Sequence, residues 1–104
     1  MITIELLRNL YKKDAVFLTQ HVIERCKQRG IRPIQIRQAV MNGEIIEDYP
    51  EDFPHPSCLV LGFPPPGLPL HTVIGSDGKT AKVITAYYPD SDKWDVDMKK
   101  RKEK

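Results

Sequence analysis

Leu6, Leu7, Leu10 and Tyr11 recur at helical spacing, with Glu5, Arg8 and Lys12 mostly off that stripe, so the pattern predicts a first helix over residues 3–13. The short apolar stretch Val16-Phe17-Leu18 follows as a connector or short strand. Thr19 then offers a hydroxyl to cap a second helix that runs to about Arg29. Gly30 is placed to end that helix in a left-handed conformation. Pro33 suits a first helical turn, which predicts a third helix from Pro33 to Asn42, stopping at Gly43.

Beyond Gly43 the period shortens. Residues 44–49 read as a strand, and residues 50–56 as a loop with three prolines. Residues 57–63 are rich in Leu and Val, which suits a buried strand. Pro64-Pro65-Pro66-Gly67 cannot serve a central ladder and reads as a connection. Two further strands, 68–74 and 79–88, are joined through Ser76-Asp77-Gly78, with Asp-Gly a strong hairpin signal. In the last strand Val83, Thr85 and Tyr87 are expected to share one face, and Ile84, Ala86 and Tyr88 the other. A turn over 89–93 precedes Trp94, which is expected to pack back on the body. Helices first and strands afterwards predict an α+β fold, with N-terminal helices packed on a three- to four-stranded antiparallel sheet.

Composition adds little to this picture, but charge distribution adds something. At 104 residues the chain fits one domain. The expectation is a single α+β domain over 1–98 and a disordered basic tail over 99–104, where five of six residues are Lys or Arg. No apolar run approaches the roughly 20 residues of a bilayer span. The start, with Glu5 arriving early, lacks the layout of a secretory signal, so a cytoplasmic protein with no membrane partner is expected. Net charge is only +2, yet residues 1–42 carry eight Lys/Arg against three Asp/Glu, and residues 43–54 carry five acids and no base. A basic helical half thus faces an acidic connector.

The second helix carries the candidate chemistry. At about 100° per residue, His21, Arg25 and Arg29 fall within about 80° of arc, beside the stripe made by Val22 and Cys26. One imidazole and two guanidiniums would therefore stand at the helix–sheet boundary, where a cleft can form; a solvated basic face gives the same spacing. His71 and the strand residues Thr85 and Tyr87 are candidate partners, though strand-formers of these types are also ordinary structural residues. His55, between two prolines, is expected to be exposed and idle. Cys26 and Cys58 stand far apart in apolar contexts and read as buried thiols. No glycine-rich nucleotide cradle, nucleophile signature or short-spaced zinc pair is present, so no cofactor and no metal is expected.

Several segments together resemble the family called domain of unknown function 4258: Leu18-Thr19-Gln20-His21 with Arg25, then Arg29-Gly30-Ile31, and Asn42 to Tyr49. Ser57 to Gly62, Pro69 to Val73 and Val83 to Pro89 continue the likeness, which spans about residues 17–94. In its helix-then-sheet layout that family is similar to the ribonuclease-like toxin group of barnase-type and RelE-type enzymes. The resemblance implies a metal-independent RNA-cleaving module. His21, Arg25, Arg29, His71, Thr85 and Tyr87 would be its catalytic residues, RNA its substrate, and an antitoxin or immunity protein a potential partner. In that scheme His21 is acid or base, Arg25 and Arg29 clamp the phosphate, His71 or Tyr87 is the complementary proton donor, and Thr85 orients them. The alternative is a non-catalytic module that binds nucleic acid or protein through the same basic ridge.

Overall fold

The computed structural model describes residues 1–102. Three helices, α1 (Ile4–Lys12), α2 (Gln20–Gln28) and α3 (Pro33–Asn42), precede most of the sheet. Its strands are β1 (Val16–Phe17), β2 (Glu44–Tyr49), β3 (Ser57–Gly62), β4 (Leu70–Ser76) and β5 (Ala81–Tyr87), in the order β1-β5-β4-β3-β2. The chain is thus α+β as its pattern predicts. The sheet, however, is mixed and five-stranded rather than antiparallel with three or four. Val16 and Phe17 run parallel to β5, opposite Ala81 and Lys82. The physical reason is the open edge of β5: the Ala81 N–H donates to Ala15 O at 2.9 Å, so the α1–α2 connector supplies the ladder partner that edge lacks.

Local chemistry explains the helix ends. The hydroxyls of Thr3 and Thr19 accept from the N–H groups of Leu6 and Val22, which satisfies one free donor in the first turn of each helix. Gly30 sits at φ +73°, the left-handed conformation expected after α2. Gly43 closes α3 for another reason. Its φ is −108°, but a Cβ there would lie 2.2 Å from Ala39 O and 2.3 Å from Leu61 O. Gly62 likewise lets β3 approach α3, since a Cβ would lie 2.5 Å from Ala39 Cα. Arg8 ties α1 to the end of α3 by donating to Val40 O (3.2 Å) and Gly43 O (2.8 Å), two carbonyls beside the helix terminus.

The main core lies between the helices and one sheet face. Leu7, Leu10, Ile36, Ala39 and Val40 meet Cys58, Val60, Leu70, Ile74, Val83 and Ala86, all buried. The alternation expected along β5 is broken. Thr85 pairs with Val73 but Val83 pairs with Ile74, so an irregularity at Ile84 turns Val83 toward the helices. Thr85 and Tyr87 stay in register with Val73 and His71, on the other face.

That second face is covered by the C-terminal segment. Trp94 is buried and forms a bridge with Arg101. Residues 99–104 were expected to be a free tail, yet Lys99 pairs with Glu44 at 2.9 Å and Arg101 with Glu47 at 3.2 Å. The acids of β2 supply partners that charge density alone does not reveal. Residues 103 and 104 of the expected tail lie outside the described residues. No described helix is long and apolar enough to cross a membrane.

Candidate functional site

Among the described residues β5 has no strand neighbour on its outer side beyond Lys82, because β1 pairs only with Ala81 and Lys82. The basic side of α2 fills that place. Arg29 Nη1 donates to Ala86 O at 2.8 Å and to Thr85 Oγ1 at 3.1 Å, satisfying a carbonyl and anchoring the helix to the edge. A cavity of about 170 Å³ lies at this junction, lined by His21, Val22, Arg25, Cys26, Arg29, Ile84 and Thr85. Four of the six candidate residues therefore share one cavity: His21, Arg25, Arg29 and Thr85. The three basic residues converge because His21 and Arg25 stand one turn apart on α2 and Arg29 follows one turn later as its C-cap residue, on the flank facing β5.

The cavity holds two guanidiniums and an imidazole, and among the described residues no carboxylate lines it. Cys26, which is buried, also lines it, and burial pushes its thiol above the ordinary value, against the opposing charge of Arg29 and a backbone hydrogen bond at Ala86. This is a cationic, donor-rich concavity with one inert thiol. Its chemistry is that of an anion site: guanidinium forks match phosphate oxygens, and Thr85 and His21 add hydrogen-bonding capacity.

His71 and Tyr87 are elsewhere. His71 is fully buried; its Nε2 lies 2.8 Å from Met98 O, and its Nδ1 lies 3.4 Å from the Tyr87 hydroxyl. A carbonyl only accepts, so Nε2 carries the proton and Nδ1 is left as an acceptor facing Tyr87. The His71 ring also meets Trp94 edge-on at 4.4 Å and Tyr87 at 5.4 Å. Burial holds the imidazole below its ordinary pKa, opposed by the Met98 bond and the Glu47 charge. Burial likewise raises the Tyr87 phenol.

Around this pair stands a cluster that sequence reasoning missed. Arg101 donates to both Glu47 carboxylate oxygens at 3.2 Å and stacks on Trp94, its Cζ 4.8 Å from the ring centroid. Burial alone would raise the Glu47 carboxyl, but hydrogen bonds from Arg101 and Tyr49 together bring it below its usual value. Tyr49 is pushed up to about 12, by burial first and then by Glu47. No signal in the sequence pairs β2 with the C-terminus. These residues form the polar seam between sheet and C-terminal segment, and His71 is a neutral part of it.

Cys26 and Cys58 are buried free thiols, as their apolar surroundings predict, with Cys58 pushed up to about 12 by burial and Asp48. His55 is exposed as expected, but it lines a groove with Phe53 and Pro54. Among the described residues no cluster of three or more His, Cys, Asp or Glu could hold a metal ion.

The family description Domain of unknown function (DUF4258) matches residues 18–88, from the start of α2 through β5. The chain belongs to this family. The match takes in the whole cationic cavity, together with His71 and Tyr87, and leaves out α1 and the C-terminal segment that covers His71. Comparison with curated proteins and with solved structures found no match.

Proposed function

We propose that this DUF4258 domain binds RNA through its sugar–phosphate backbone, with a phosphodiester seated between Arg25 and Arg29. The observation that carries this reading is the cavity at the β5 edge, where His21, Arg25, Arg29 and Thr85 converge and no acid among the described residues intrudes. A cation pair in a concave site gains more from an anion than the same charges spread over a helix face, because field lines are focused there. The choice of RNA follows the resemblance to the ribonuclease-like toxins, which is an analogy of layout. Fluorescence anisotropy with a labelled single-stranded RNA tests it. Arg25→Ala should weaken binding about tenfold and flatten the logarithmic salt dependence by about 0.7, the change expected when one phosphate fewer is neutralised. Lys27→Ala, on the same helix but outside the cavity, should do much less. Equal effects of the two substitutions would mean that only overall charge matters, and the cavity would lose its role.

Metal-independent cleavage is the second reading, favoured by His21 standing beside two guanidiniums. In such a step the 2′-oxygen attacks phosphorus, its proton passes to His21, and the P–O5′ bond breaks. The arginines stabilise the charge on the phosphorane oxygens. His71 and Tyr87 lie outside the cavity, so the departing 5′-oxygen takes its proton from water or from His21. Cleavage of this kind persists in EDTA and leaves 2′,3′-cyclic phosphate ends, and His21→Ala lowers its rate by about 10²–10⁴-fold. Intact RNA after long exposure across pH 5–9 leaves the binding reading alone.

A further inference from the structure

The cationic cavity has a larger neighbour on the far side of His21. His21, Val22 and Ile84 also line a larger groove of about 700 Å³ that extends to Phe17, Phe53 and Pro54. At about 170 Å³ the cavity is below the roughly 300–1,000 Å³ typical of ligand sites, whereas the groove falls within that range. The two compartments also differ in chemistry. Asp52, Asp77, Lys82 and His55 line the groove, a mixed set of charges, whereas among the described residues no acid lines the cavity. Its apolar surface is exposed: Phe53 is 94% accessible, Phe17 55% and Ile84 46%. Single exposed apolar residues are ordinary, but three around one concavity mark a surface that something covers.

We infer that the groove is the base-binding half of a nucleotide site. An unpaired RNA nucleotide places its phosphate in the cavity and its base against Phe17 and Phe53. This inference rests on the phosphate-binding reading above and names what the same site selects. The three shared lining residues make the two compartments neighbours, as a base and its own phosphate require. Stacking on a side chain needs a base whose face is free, so the site takes single strands and rejects duplexes.

The test uses the whole chain and three labelled probes of equal length: an adenine-rich single strand, its duplex, and an abasic ribose-phosphate oligomer. Wild type, Phe17→Ala, Phe53→Ala and Arg25→Ala are compared by anisotropy. Each phenylalanine substitution should weaken single-strand binding about tenfold, the loss of one base–aromatic stack, and leave abasic binding unchanged. Arg25→Ala should weaken both. Phe53→Leu, which keeps apolar bulk without a ring, should behave like Phe53→Ala while retaining the wild-type melting temperature. Phenylalanine variants that bind the single strand like wild type, with Arg25→Ala still defective, would overturn the inference and leave the groove to another occupant such as a protein. Duplex bound as tightly as single strand would overturn it too. A wild type that binds none of the probes would remove the phosphate-binding reading itself.

Discussion

Deleting residues 98–104 should lower the melting temperature by about 10 °C, although six residues of that stretch are Lys, Arg or Glu. Three losses set the magnitude. His71 Nε2 loses its acceptor, the Met98 carbonyl at 2.8 Å, which is worth about 1 kcal/mol. Arg101 loses its place over Trp94 at 4.8 Å, about 0.5–1 kcal/mol for a site of this exposure. The Arg101–Glu47 pair adds only a few tenths to about 1 kcal/mol, because the arginine side chain is 62% exposed and screened by solvent. Together these give about 2 kcal/mol, and a domain of this size loses about 4–8 °C per kcal/mol. Thermal melts followed by circular dichroism at pH 7.5 provide the assay. Lys99→Ala is the control, because both side chains of its pair with Glu44 are about half exposed, and it should move the midpoint by less than about 2 °C. A truncated chain that melts within about 2 °C of the full one would refute the reasoning. The segment would then behave as the free tail its charge density suggests.

Other expectations follow from buried groups. Tyr11 has a buried hydroxyl with no hydrogen-bond partner among the described residues and a pKa pushed up to about 12, chiefly by burial, so Tyr11→Phe should leave the melting temperature unchanged or raise it. A fall of several degrees would show that the hydroxyl has a partner in solution. Gly62→Ala should destabilise by about 1–3 kcal/mol, because the new Cβ meets the Ala39 backbone at 2.5 Å and neither α3 nor β3 yields easily; urea unfolding measures it, and a wild-type midpoint would contradict it. Burial holds the His71 pKa below its ordinary value, so the unfolded chain takes up a proton first as pH falls. The contribution of His71 is therefore intact above about pH 6.5 and declines below it. His71→Gln should flatten the loss of melting temperature between pH 7 and pH 5, and parallel profiles would disprove that origin.

The helices were legible because their signals are local. Thr19, Gly30 and Pro33 each act within one turn, and the structure uses them as the sequence implies. The convergence of His21, Arg25 and Arg29 was legible for the same reason, since helical spacing alone puts them on one flank. What was not legible depends on partners distant in sequence. Val16-Phe17 becomes a parallel strand only because β5, some 65 positions later, has an open edge there. The irregularity at Ile84 breaks a period that the residues themselves do not interrupt, and it separates Val83 from Thr85 and Tyr87. Pairing of Arg101 with Glu47 joins two charge runs that each look solvated when read alone. His71 and His21 are both histidines beside apolar residues in the sequence, and only the sheet register sends one to the covered face.

The central claim is that RNA phosphate is held by the arginines of α2 and not by basic residues at large. Side-chain Nε–H resonances of ¹⁵N-arginine-labelled protein, followed during titration with a short single-stranded RNA, address it residue by residue. Arg25 and Arg29 should shift together and saturably. Arg8, which donates to Val40 O and Gly43 O, and Arg101, which is paired with Glu47, should stay in place. Shifts centred on Arg101, or spread evenly over all arginines, would contradict the account.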